Sequence, residues 1–165
     1  MNELDLNTID FTKPIADMDA IRKVLPHRHE MELLSGIVYI DKSKHLCVGY
    51  KDLEPDAFWA RGHFPGYPVM PGVLQCEAAA QLCCYYALTQ GVMDPQSLMA
   101  LGGIEEARFH APVRPGDRLV LVGQGIKMHR RMTRIHVVGS VNGVKAFEAT
   151  VVGVPLGKWE DLLRA

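Results

Sequence analysis

Two side chains able to move protons, His63 and Glu77, bracket the start of an apolar run, and Glu77 is the only formal charge between Phe64 and Met93. The stretch GHFPGYPVMPGVLQCEAAAQ, residues 62–81, brings both together with the first N–H groups of a helix. Imidazole changes charge between pH 5 and 8, so His63 is a candidate base. A carboxylate set among Cys, Ala and Leu is costly to bury, so Glu77 is expected to have a raised pKa and to serve, protonated, as a general acid. The free N–H groups of Gly72 and Val73, helped by the helix dipole, would stabilise a developing oxyanion. Base, acid and oxyanion donor suit proton abstraction beside a carbonyl with loss or transfer of a group one carbon further on. Each piece also has a simpler reading. A lone His in a loop is more often structural, Glu77 could pair with an Arg from a sheet, and Gln81, four residues on, could simply hydrogen-bond its carboxyl.

The elements that must hold these groups follow from local pattern. Six of the eleven residues 62–72 are Gly or Pro, which marks a stiff loop. Pro71 suits the first helical position and Gly91 the residue after the last, so the spacing predicts a helix over residues 71–90. VLQCEAAAQLCCYYALTQ is apolar nearly all round, so that helix is expected to be buried on most faces. Gln75, Glu77 and Gln81 within it, and flanks without basic clusters, argue against a membrane span. Before it, residues 1–16 read as an irregular arm, Asp17 or Asp19 caps a short helix through Leu25 that Pro26 stops, and residues 33–40 and 45–50 read as strands around a turn at residues 41–44. After it come strand-like runs at residues 98–104, 118–128, 132–141 and 144–154. Asn142-Gly143 marks a tight hairpin of the primed type, and residues 156–165 form a tail with a helical turn at 158–163. One long buried helix with antiparallel strands predicts an α+β fold in which a curved sheet wraps the helix.

At 165 residues the chain suits a single domain, 1–165. Its net charge of −1 excludes a broad basic surface for nucleic acid. The acidic N-terminus MNELDLNTIDF shows no basic segment followed by an apolar one, so no secretory signal is read and the cytoplasm is expected. Cys47, Cys76, Cys83 and Cys84 lack metal-ligand spacing and read as reduced core thiols, with no metal and no cofactor expected.

Residues 62–81, together with Leu25-Pro26-His27-Arg28 and ARFHAPVRPGDRL at 107–119, closely resemble the bacterial 3-hydroxyacyl-ACP dehydratases of the FabZ type, members of the hot-dog superfamily. The resemblance covers most of residues 18–155. It implies a hot-dog fold and reversible, cofactor-free dehydration of a (3R)-hydroxyacyl thioester on acyl carrier protein to the trans-2-enoyl thioester, in fatty acid biosynthesis. It further implies that His63 removes the proton alpha to the carbonyl, that Glu77 handles the departing hydroxyl, and that the Gly72 amide holds the carbonyl oxygen. The family pairs the His of one subunit with the acid of the other in a homodimer, and dimers commonly assemble into trimers of dimers. The chain departs from the family at residues 29–36, where His29-Glu30-Met31-Glu32 and Ser35-Gly36 replace an aromatic, a proline and a hydrophobic run. Tyr67-Pro68-Val69-Met70-Pro71 also resembles the FabA-type dehydratase-isomerases, but these have Asp where Glu77 stands, which favours dehydration alone.

An acyl chain needs an apolar tunnel, for which Phe64, Leu74, Met99 and Phe109, beside Val73 and Gln81, are candidate lining; core packing is the alternative for such side chains. Lys127, Arg130, Arg131 and Arg134 are either a docking patch for acidic acyl carrier protein or a solvated hairpin. Two other functions fit the same fold: an acyl-thioesterase, and a non-catalytic protein that binds or scaffolds acyl carrier protein.

Overall fold

The computed structural model describes residues 4–164; the ends of the predicted arm and tail, residues 1–3 and 165, lie outside them. Six antiparallel strands form one sheet in the order β1-β2-β4-β5-β6-β3. They are β1 (Gly36–Asp41), β2 (Leu46–Asp52), β3 (Ser97–Phe109), β4 (Arg118–His129), β5 (Met132–Val141) and β6 (Val144–Lys158). The helix α2 (Gly72–Thr89) packs on this sheet, and α1 (Met18–Arg22) and α3 (Trp159–Leu162) are single turns near the two ends. This is the expected α+β arrangement of a sheet around one long helix.

The burial of α2 explains its composition. Twelve of its residues are buried, among them Ala78, Ala79, Leu82, Cys83, Tyr86 and Ala87, so almost every face meets protein. Small Ala and Cys side chains let the strands approach closely, and removing the apolar surface from water supplies the main stabilisation. All four cysteines are free and buried. Pro71 is the cap residue of α2, with Gly72 the first helical position, one place later than the sequence suggests. At the other end Gly91 takes φ +73, the left-handed conformation that closes helices.

Strand boundaries differ from the periodicity where the backbone bends. Residues 33–35 are outside β1. β2 starts at Leu46 because His45 turns left-handed, with φ 49. β3 runs five residues beyond the expected 104, because irregularities at Leu101/Gly103 and Glu105/Arg108 break its alternation without ending its pairing. β6 continues past Pro155, which sits opposite Met99 beside another register shift, where a missing N–H is tolerated. Asn142 and Gly143 both have positive φ, 50 and 77, so the β5–β6 connection is the expected primed turn.

The N-terminal arm is less irregular than its composition suggests. Asp5 caps a 3-10 turn, and Leu4, Leu6, Ile9 and Phe11 pack against Val38, Val48 and Tyr50 on the outer face of the sheet. Ala16 then bridges to Ile37, which delivers the chain to α1 under the Asp17 cap.

Candidate active site

The loop before α2 is fixed at both ends by backbone bonds. His63 N donates to Trp59 O at 2.8 Å, Val69 N to His63 O at 2.8 Å, and Met70 N to Val113 O at 2.7 Å. The half-buried His63 ring stacks on Phe64 with centroids 4.0 Å apart, and its Nδ1 lies 2.7 Å from Val69 O. A carbonyl can only accept, so Nδ1 carries the hydrogen and a neutral ring presents its lone pair on Nε2. The loop therefore builds a base with a fixed tautomer.

At the start of α2 no side chain caps the free N–H groups of Gly72 and Val73. Phe109 approaches Gly72 closely: a Cβ there would lie 2.7 Å from its ring. Phe109 and Val73 are both exposed, as is Phe64, while Leu74 packs against the core. These residues form a surface patch around the helix start.

One helical turn further on, Glu77 Oε1 accepts a bond from Gln81 Nε2 at 2.9 Å, and His27 Nε2 lies 3.3 Å away. Burial alone pushes the Glu77 carboxyl up, but the contacts with His27 and Gln81 outweigh it and hold the group below its usual 4.5. This corrects the expected raised pKa. The surroundings of Glu77 are apolar in sequence along α2, yet the segment before β1 brings an imidazole across to it. The expected Arg partner is likewise replaced by His27.

Gln81 is itself buried and fully engaged. Its Oε1 accepts from Leu33 N at 3.0 Å, and its Nε2 donates to Met31 O at 2.8 Å as well as to Glu77. The segment that departs from the family pattern, residues 29–36, thus grips Glu77 through Gln81 by backbone groups alone. His27 is steadied by its neighbour: the Arg28 guanidinium donates to Leu25 O, His27 O and Arg22 O at 2.8, 2.6 and 3.0 Å. His27 Nδ1 is buried without a partner.

A cavity of about 70 Å³ opens beside Glu77, walled by His27, Gln81, Cys84, Met99 and Leu101. Of the nine residues singled out in the sequence, the structure gathers Glu77, Gln81 and Met99 here and His63, Phe64, Gly72 and Val73 on the loop and helix start, with Phe109 of β3 against Gly72 and Leu74 packed on the core. Among the described residues no hydrogen bond or ion pair joins His63 to Glu77. His27 is the site residue that sequence reasoning missed. Its signal was present in the Leu25-Pro26-His27-Arg28 stretch, but nothing local shows that this turn lies over α2. No cluster of His, Cys, Asp and Glu suited to a metal occurs among the described residues.

Residues 25–150 match the model of the FabA-like domain. The chain is 38% identical over 139 residues to the 3-hydroxyacyl-[acyl-carrier-protein] dehydratase FabZ of Koribacter versatilis, covering 84% of this chain and 88% of that one. It is 37% identical to the FabZ of Brucella abortus, over the same shares of the two chains. Among solved structures, the dehydratase heterocomplex ApeI:P from Xenorhabdus doucetiae superposes with a TM-score of 0.69 at 14% identity, covering 87% of this chain and 95% of that one.

Proposed function

This chain belongs to the FabA-like family, and from that membership we infer that it is a 3-hydroxyacyl-ACP dehydratase of fatty acid biosynthesis. The observation that carries the reading is that one loop-and-helix segment holds both a tautomer-fixed imidazole and a hydrogen-bonded carboxylate, the latter beside a cavity. His63 Nε2 takes the alpha proton of the thioester. The carbonyl oxygen gains negative charge and is held by the N–H groups of Gly72 and Val73. The beta hydroxyl leaves as water with the proton held between Glu77 and His27, and the proton on His63 then returns to that pair. General acid–base help of this kind is worth about two to four powers of ten per group.

His63 and Glu77 meet across a homodimer. What supports this is the edge strand β3, which carries exposed Leu101, Ile104 and Phe109, next to exposed Phe64, Tyr67 and Val73. A second copy paired on that edge would cover the apolar patch and bring each His63 toward the other chain's Glu77. Such dimers would stack as trimers of dimers. The partner is acyl carrier protein, and the exposed Lys127, Arg130 and Arg131 at the β4–β5 hairpin form its docking patch; Arg134 is tied to Glu105. No helix among the described residues is long and apolar enough to cross a membrane. We propose that the enzyme works in the cytoplasm, beside its acyl carrier protein substrate.

The test is incubation with (3R)-hydroxyacyl-ACP while following enoyl absorbance and free-thiol release together. Enoyl formation without thiol release is expected from the wild type. Thiol release without an enoyl product would make the protein a thioesterase instead.

A further inference from the structure

Beyond the Glu77 cavity lies a larger one of about 500 Å³, between the turn after α1, the C-terminal half of α2 and the end of the chain. Cys84 and Met99 line both cavities. Glu77, Cys84 and Leu88 follow one another along the same face of α2, and by helical rise Leu88 is roughly 16 Å beyond Glu77. Burial pushes the Cys84 thiol up to about 12, so it serves as an apolar wall and not as a nucleophile. Met99 reaches across Gly153, where a Cβ would collide with its methyl group. An unbranched thioether can move aside at such a constriction. The far wall of the large cavity is Trp159, whose backbone N–H donates to Gln96 O at 3.0 Å beside the Ser97–Lys158 pairing of β3 and β6. This wall lies outside residues 25–150, which match the family domain.

We propose that the two cavities form one acyl channel with Met99 as its throat and Trp159 as its end wall, so that Trp159 sets the upper chain length that the enzyme accepts. The proposal rests on the dehydratase reading above. Past Cys84 and Met99 the large cavity offers an acyl chain, alongside the polar Arg22 and Arg28, the apolar Leu25, Leu88, Leu98 and Trp159. Beyond them it would emerge among Lys158, Glu160 and Asp161. Each further methylene buried within the channel tightens binding by about fourfold, and that gain stops at the wall.

The experiment measures kcat/KM for (3R)-hydroxyacyl-ACPs of graded length in the wild type, Trp159→Ala and Trp159→Phe. In the wild type kcat/KM rises with length and then falls. In Trp159→Ala the fall moves to longer chains, with about a tenfold gain for the longest substrate and no change for the shortest. Trp159→Phe keeps the wild-type profile. An active Trp159→Ala enzyme with the wild-type length profile would overturn the proposal. Quenching of tryptophan fluorescence by long-chain acyl-ACP, lost in Trp159→Phe, supplies an independent readout. Quenching without turnover at any length supports the channel and overturns the dehydratase reading, whereas turnover without quenching overturns the channel.

Discussion

Replacing Gln81 by Leu removes three hydrogen bonds while nearly conserving volume. The Leu33 N–H, on a residue only 3% exposed, loses its acceptor, which costs about 1–3 kcal/mol. The Met31 carbonyl sits on an exposed residue and regains water at little cost. Glu77 loses the bond from Gln81 Nε2, worth about 1 kcal/mol for a charged acceptor still partly in contact with solvent. Burying Leu in place of Gln returns part of this, which leaves a net loss of about 2–3 kcal/mol at pH 7. For a domain of this length the loss corresponds to a fall in Tm of roughly 5–10 °C. A double-mutant cycle with Glu77→Gln should show coupling of about 1 kcal/mol, since each change removes one end of the same contact. Gln81 acts through Glu77, so kcat should fall while KM changes little. The assays are thermal or urea unfolding of the four proteins and steady-state dehydration kinetics. A Tm within 1–2 °C of wild type, or a coupling indistinguishable from zero, would refute the idea that Gln81 holds the carboxylate in place.

Gly72→Ala puts a methyl group against the Phe109 ring. The ring is half exposed and can swing, so stability should change by less than about 1 kcal/mol, while kcat/KM falls about tenfold or more as the approach to the helix-start amides narrows. An unaltered kcat/KM would contradict this. The pKa of Glu77 in the folded chain lies below its usual 4.5, so the carboxylate's contribution to stability is complete above that value and is lost as pH falls through the lower, folded value. Wild type should therefore lose more stability than Glu77→Gln on acidification through this range, and parallel unfolding curves at each pH would argue against it.

The fold was legible wherever pattern and punctuation agreed. The largely apolar helix, the Asn142-Gly143 turn and the β5 boundaries follow from local chemistry alone. The length of β3 was not legible, because Glu106 with φ 54 and the nearby register shifts hide a continuous strand behind broken alternation. At the candidate site, residue types on one continuous segment pointed to His63, Gly72 and Glu77 as the proposed groups. The charge state of Glu77 was misread because its controlling neighbour, His27, is distant in sequence and arrives through a turn held by Arg28. Local composition reports the desolvation of a carboxyl but not the partner that tertiary folding supplies.

The central claim, that His63 of one subunit and Glu77 of the other make one dehydrating site, is tested most directly by subunit complementation. His63→Ala and Glu77→Gln, each inactive alone, are co-expressed with different tags and the mixed dimers assayed on (3R)-hydroxyacyl-ACP. Each mixed dimer has one site with both changes and one with neither, so purified mixed dimers should recover about half of wild-type activity. Mixed dimers as inactive as their parents would contradict the account.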